Sequence, residues 1–335
     1  MDVTTLSLEI TRYCNLVCPM CPARTHPVKP KHMPLEQVKE IIEKFTHLKA
    51  FNIIGWGEPL MYPQWIELMD YLNEHEIALT FTTNGTLFNE ENIVPIHPRA
   101  YVAISIDSVD PDAYRKIRGV DVSKTVENIK LLRQLKPHVK LFFNTLVMND
   151  TIDSLDQLLP LAKQVNANIK TSYPLTYNDR DFKRFYPKLK ELRTKMKLFH
   201  RLAYNKYRLK IMQGLTEPKM RVCIQPFDGI VVGINGETYS CCYAYSGKKE
   251  GGRLGSYREY YDNTYLNVPT EQYYLGNIFI DTVDEIFNGE RMNNIRTTIM
   301  NTPEIKNFKE SRQQTNLLIP HKYCEICADR WGIIC

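Results

Sequence analysis

The stretch Thr11-Arg12-Tyr13-Cys14-Asn15-Leu16-Val17-Cys18-Pro19-Met20-Cys21-Pro22 decides how the rest of the chain is read. It follows the short apolar run at 6–10 and sets three cysteines in a C-x-x-x-C-x-x-C spacing. Cysteine thiolates are soft ligands, suited to zinc and to iron–sulfur clusters. Four of them close a site, whereas three leave one iron of a [4Fe–4S] cube open to another ligand. A structural zinc knuckle, or three unrelated free cysteines, are the competing readings of the triplet.

Around it lies a chain of 335 residues, 43% hydrophobic and 24% charged, an ordinary globular balance with material for one large domain or two moderate ones. No uninterrupted apolar run approaches the roughly 20 residues of a membrane-crossing helix. The N-terminus has no basic region leading into an apolar signal core, so a cytoplasmic protein without membrane association is expected. Nine cysteines, an odd number with the nearest ones at ligand spacing, argue for a reducing compartment over a disulfide frame. The formal charge of +5 is mild and uneven. Residues 180–221 are rich in Lys and Arg, with Asp181, Glu191 and Glu217 as their acids. That segment suits an anionic partner or substrate, or is a solvated basic helix face. A zinc-binding module on nucleic acid is a different class of reading, but no RNA- or DNA-binding motif accompanies it, so a nucleic-acid partner is not expected.

From residue 4 to 173, short β-rich runs alternate with helical ones, the pattern of βα units on a parallel sheet. Strands are expected at 5–10, 50–54, 78–82, 101–106, 140–147 and 169–173, with helices at 35–45, 65–73, 122–135 and 152–165. Six strands do not complete an eight-stranded barrel. A long amphipathic helix is expected over 186–212, where Leu189, Leu192, Met196, Phe199 and Leu202 recur at three- and four-residue spacings.

In parallel α/β folds ligands collect beyond the carboxyl ends of strands. Gly55-Trp56-Gly57-Glu58-Pro59 follows the second strand, Thr82-Thr83-Asn84-Gly85 the third, Ser105-Ile106-Asp107 ends the fourth, and Asn144 lies in the fifth. Each of these alone is a turn or a cap. Arg118, before Gly119, reads equally as a helix C-terminal cation ahead of its glycine cap.

The last third holds Cys223, Cys241, Cys242, Cys324, Cys327 and Cys335. Asn235-Gly236 between two β-rich runs signals a hairpin with a type I′ turn, which needs positive φ at both central residues. Such a hairpin returns Cys241 toward the strand that follows Cys223. With Cys324-x-x-Cys327 these make a closed four-thiolate site, for which a zinc ribbon is the alternative.

Together the triplet, the strand-end residues and the later cysteines resemble the radical S-adenosylmethionine (radical SAM) superfamily with its C-terminal SPASM/twitch extension. The resemblance implies an α/β fold: a partial (β/α)6 barrel at 1–180, a helical connector at 181–220 and a smaller α+β auxiliary-cluster domain at 221–335. It implies a [4Fe–4S] cluster on Cys14, Cys18 and Cys21, with SAM as its fourth ligand. One auxiliary [4Fe–4S] cluster would sit on Cys223, Cys241, Cys324 and Cys327. Gly57 and Glu58 match the family's G-G-E-P segment, which binds the SAM amino group, although Trp56 interrupts the glycines. Asn84, Ser105, Asp107 and Asn144 would bond SAM's ribose and carboxylate, and Arg118 would meet that carboxylate. Met20 stands where the family often has an aromatic residue before the third cysteine, which puts the usual ring contact to adenine in question.

The chemistry implied is reductive cleavage of SAM to a 5′-deoxyadenosyl radical that abstracts a substrate hydrogen, with an electron from a flavodoxin or ferredoxin. The auxiliary cluster would relay electrons. A dehydrogenase fits this arrangement, and so does an epimerase, in which Cys242 or Cys335 would donate a hydrogen atom. Otherwise both are spare buried thiols. Only thirteen residues precede Cys14, too few for a leader-binding domain. The expected substrate is therefore a small sugar, aminocyclitol or nucleoside-type intermediate of natural-product biosynthesis, with maturation of a ribosomally synthesised peptide as the alternative.

Overall fold

The computed structural model describes residues 2–25, 29–174, 179–209, 211–212, 225–241, 245 and 273–301. Six parallel strands, β1 (Thr5–Glu9), β2 (Ala50–Ile54), β3 (Ala78–Thr83), β4 (Tyr101–Ser105), β5 (Lys140–Leu146) and β6 (Asn168–Ser172), stand side by side in sequence order. Because side chains alternate across a strand, Leu141, Phe143 and Thr145 of β5 are buried in the core while Asn144 between them faces the other side. The same alternation buries Val102 and Ile104 of β4 and turns Ser105 to Asn144's face, where the two are register partners.

The helices of this half are α1 (Pro22–Thr25), α2 (Leu35–Glu43), α3 (Trp65–Glu74), α4 (Glu90–Ile93), α5 (Pro111–Arg118), α6 (Val122–Leu135) and α7 (Leu158–Gln164). In α2 the buried Leu35, Val38, Ile41 and Ile42 form one apolar stripe. Helix α5 starts where the Asp110 carboxylate accepts from Ala113 N at 2.8 Å, ahead of Pro111 in the first turn. It stops at Gly119, left-handed at φ 78°, which fixes Arg118 in the last turn.

Two expected helices are interrupted. Over 152–165 a 3-10 turn at Leu155–Gln157 precedes α7, whose Pro160 sits in the first turn, where its missing N–H costs nothing. Over 186–212 the chain gives α8 (Asp179–Phe185), then α9 (Leu189–Leu202), a π turn at Ala203–Tyr207 and β7 (Ile211–Met212) beside β6. Pro187 pushes Tyr186 out of the helical region, so no helix runs through that point.

The C-terminal segment contributes α10 (Gln225–Asp228), β8 (Gly229–Val232), β9 (Glu237–Tyr239), β10 (Tyr274–Asn277), α11 (Val283–Phe287) and α12 (Glu290–Asn301). Strand β8 pairs parallel with β1, in register Thr5↔Gly229, while β9 pairs antiparallel with both β8 and β10. Among the described residues one continuous sheet of ten strands results, in the order β10-β9-β8-β1-β2-β3-β4-β5-β6-β7. Ile230, Val231 and Val232 enter the same apolar core as Leu6 and Leu8. The Asn-Gly hairpin forms, but not with the expected type I′ turn: of the pair, only Gly236 has positive φ, 85°. The loop is longer, since Gly236 N donates to Gly233 O at 2.9 Å and Gly233 N to Glu237 O at 2.8 Å. One left-handed glycine closing such a loop makes a bulge and spares Asn235 the strained conformation. No helix among the described residues is long and apolar enough to cross a membrane.

Candidate active site

The cysteine loop leaves the end of β1 and is pinned on several sides. Tyr13 N donates to Thr11 Oγ1 at 3.1 Å, and Arg12 N to Lys31 O at 2.9 Å. Cys21 N donates to Cys18 O at 3.1 Å and Arg24 N to Cys21 O at 3.0 Å, tight turns that fold the triplet back on itself. Cys14 is exposed, Cys21 half-buried and Cys18 buried. Cys18 and Met20 pack with Ile117, Met148, Phe185 and Tyr186 in an apolar cluster separate from the main core.

All three thiols border one cavity of about 510 Å³ at the carboxyl ends of the strands. Its other walls include Gly57, Glu58, Asn84, Ser105, Asn144 and Arg118. Thus six of the seven SAM-contact candidates are brought to the same cavity as the triplet. The seventh, Asp107, is fully buried and not among the lining residues. It holds Arg118, accepting from Nε at 2.8 Å and Nη2 at 2.6 Å, and is itself steadied by Leu146 N at 2.7 Å. Arg118 Nη1 then lies 3.8 Å from Cys18 Sγ.

Glu58 ties the second and third strand ends together: it accepts from Thr83 Oγ1 at 2.6 Å, from Asn84 N at 2.7 Å and from Leu60 N at 3.2 Å. Burial pushes its carboxyl up, against the pull of those three donors and of Arg118. Gly57 is required for close approach, because a Cβ there would run into the Thr11 carbonyl and lie 2.9 Å from Tyr13 O. Glu58 N meanwhile donates to that same Tyr13 O at 2.7 Å, so the two loops are clasped backbone to backbone. Asn84 Nδ2 adds a bond to Asn15 Oδ1 at 2.9 Å.

Ser172, Tyr173 and Pro174 also line the cavity, as does Arg24, which donates to Val17 O at 3.0 Å. Sequence reasoning singled out none of these four, although Ser172 closes the sixth strand and Tyr173 follows it, where the strand-end rule looks for ligand contacts. In the other constellation Cys241 is half-buried against the main core. Cys223, Cys242, Cys324, Cys327 and Cys335 lie outside the described residues.

Among the described residues no three Cys, His, Asp or Glu side chains converge on a point that one metal ion would occupy. A cubane needs no such convergence, because its irons sit at separate corners. Three thiolates from one loop, facing a shared cavity with Arg118 beside one sulfur, fit an iron–sulfur cluster in donor type and in surroundings.

A parallel partial barrel with a three-thiol loop at the strand ends is a fold of the α/β class with a candidate iron–sulfur site. A family model described as the radical SAM superfamily matches residues 8–162, and one for an iron–sulfur cluster-binding domain, SPASM, matches residues 223–329. The chain belongs to the radical SAM superfamily and carries a SPASM extension. The two domains imply its cofactors: SAM, a [4Fe–4S] cluster and auxiliary iron–sulfur clusters.

The chain is 27% identical over 172 residues to mycofactocin maturase MftC of Mycolicibacterium smegmatis, covering 49% of this chain and 43% of that protein. It is 29% identical over 243 residues to a probable GTP 3′,8-cyclase of Pyrococcus horikoshii, covering 69% of this chain and 74% of that protein. The fold resembles the crystal structure of Streptococcus suis SuiB bound to precursor peptide SuiA, with a TM-score of 0.65 at 13% identity over 93% of this chain and 73% of that one. The chain spans less than half the length of the first curated relatives it matches.

Proposed function

We propose that this radical SAM enzyme is a maturase acting on a ribosomally synthesised peptide. The observation that carries the reading is the pairing of a maturase among the sequence relatives with a fold neighbour whose structure holds a precursor peptide. The cavity supports it as well. At about 510 Å³ it suits one cofactor-sized ligand and the reacting end of another, within the roughly 300–1,000 Å³ common for such sites. A peptide offering one side chain leaves its remainder outside, along a rim where Val17 is 69% exposed. The expected sugar- or aminocyclitol-type substrate has less support. A nucleoside-type small molecule keeps one observation in its favour, the match to the probable GTP cyclase.

When bound, the cluster and SAM supply a 5′-deoxyadenosyl radical that abstracts a substrate hydrogen. In this reading Gly57 and Glu58 cradle SAM's amino group, while Asn84, Ser105, Asn144 and Arg118 receive its ribose and carboxylate. Asp107 acts behind Arg118, holding the guanidinium in place. The division into a barrel at 1–180, a connector at 181–220 and a cluster domain at 221–335 belongs to the same proposal. So do a cytoplasmic setting and an external flavodoxin or ferredoxin.

The test is turnover of precursor peptides encoded beside the gene, with SAM and a reductant under anaerobic conditions. A peptide mass change accompanied by one 5′-deoxyadenosine per event is expected. Deoxyadenosine formed in step with conversion of a nucleotide or sugar, with every such peptide unchanged, would replace the peptide reading.

A further inference from the structure

Glu9 closes β1 five residues before Cys14, is fully buried, and meets three parts of the molecule at once. Its Oε2 accepts from Arg12 Nε at 2.7 Å and from the Tyr245 hydroxyl. Its Oε1 lies 3.4 Å from Trp56 N, and Gly55, left-handed at φ 106°, leaves room for it, since a Cβ there would fall 2.5 Å from Glu9 Cγ. Arg12 completes the group. Its Nη2 donates to the Tyr245 hydroxyl at 3.2 Å and lies 3.8 Å from Glu237 Oε1 of β9. The Arg12 and Glu9 side chains are only 8% and 1% exposed.

These residues join separate stretches of function. Arg12 belongs to the cysteine loop, Gly55 and Trp56 open the segment that leads into Gly57 and Glu58, and Tyr245 belongs to the segment that carries Cys241. Tyr245 N donates to Cys241 O at 3.2 Å, and its ring packs on Tyr239 of β9 at 5.7 Å between centroids. None of Glu9, Arg12 or Tyr245 lines the cavity. A buried carboxylate is strongly held by charge-assisted bonds and is costly to leave short of a donor. If Tyr245 withdraws its hydroxyl, Glu9 must lean on its remaining donors, and both of these lie on loops that border the cavity.

We propose that Glu9, Arg12 and Tyr245 form a positioning latch through which the C-terminal cluster module sets the loop at 55–58 for SAM binding. The latch rests on membership of the superfamily and not on the substrate class. Its test omits substrate, so its failure would leave the peptide reading standing, and the reverse holds too.

The test is equilibrium binding of SAM to the fully loaded protein, together with the SAM-induced change in the paramagnetic resonance spectrum of the reduced N-terminal cluster. Tyr245→Phe keeps the ring and removes only the hydroxyl, at a residue that does not line the cavity. With iron content and circular dichroism unchanged, about a tenfold rise in the SAM Kd is expected for Tyr245→Phe and for Glu9→Gln, near the 1.4 kcal/mol that a tenfold change represents. The double variant should be no weaker than the weaker single one, because both remove the same contact. An unchanged Kd and spectrum in Tyr245→Phe, or effects that simply add, would overturn the latch. Should Glu9→Gln fail to fold, Arg12→Lys takes its place in the cycle, with the same outcomes deciding.

Discussion

Cys14 borders the cavity as an exposed residue, yet desolvation is the largest of the causes that push its thiol up to about 11. A bond with the Leu16 backbone pulls the other way, while Glu58, Cys18 and Cys21 add to the rise. A raised value means that the fold favours the protonated thiol. This contribution to stability is full below the ordinary value of 9.0 and is lost as pH climbs through about 11. In the cluster-free protein, alkylation of Cys14, followed by peptide mass mapping, should therefore reach half its maximal rate near pH 11, and near 9 once the chain is unfolded. A midpoint near 9 in the folded protein contradicts the burial argument. Since the ligand form is the thiolate, cluster loading must also release this proton. Arg118, braced by Asp107, favours the charged form at Cys21 and opposes the burial there. That role could not be read from the sequence: spacing puts Arg118 at a helix end, but only the fold shows which sulfur its guanidinium approaches.

At the scale of elements, legibility followed local chemistry. The helix expected at 122–135 is found at those bounds because Asp121 caps its first turn, accepting from Ser123 N at 2.8 Å, and its buried residues recur at helical spacing. The strand expected at 50–54 is likewise found as read, flanked by the close turn at Gly55. Misreadings arose where an expected helix was carried past a break, as at Arg208, left-handed at φ 56° after the π turn, or where a loop had one residue more than the shortest hairpin, as at 234–236. Two glycines that end elements separate backbone strain from crowding. At Gly119 an added Cβ meets nothing within 4 Å, so Gly119→Ala carries the left-handed penalty alone, about 1–2 kcal/mol. At Gly236 it would strike the Phe279 ring and lie 2.6 Å from Asn277 Oδ1. Overpacking of about 1–3 kcal/mol then adds to the same penalty. Urea unfolding of the two variants should show Gly236→Ala as the more destabilised, and equal losses would mean that the hairpin shifts to make room.

For the whole molecule, the alternation of strands and helices was enough to read βα units on a parallel sheet, and the barrel with its cluster-binding extension came from the resemblance that the cysteine spacings and strand-end residues carry. How the extension attaches was not legible, because pairing Thr5 with Gly229 joins residues more than two hundred positions apart and leaves no local sign. The attachment bears on how the two cluster sites depend on each other. The hairpin of β8 and β9 is anchored on β1 by a parallel ladder and by Leu6, Leu8, Ile230 and Val232 in one core. The thiols of the triplet contribute to neither, as Cys18 packs in the separate cluster with Met20 and Phe185. Replacing Cys14, Cys18 and Cys21 together with alanine should therefore leave the sheet and the C-terminal site in place. The variant, reconstituted anaerobically, is expected to hold about four irons and four sulfides, the content of one cubane, and to release no 5′-deoxyadenosine. A folded variant without iron would mean that Cys223, Cys241, Cys324 and Cys327 do not hold a cluster of their own. About eight irons would mean that the C-terminal cysteines, Cys242 and Cys335 included, build a second auxiliary site.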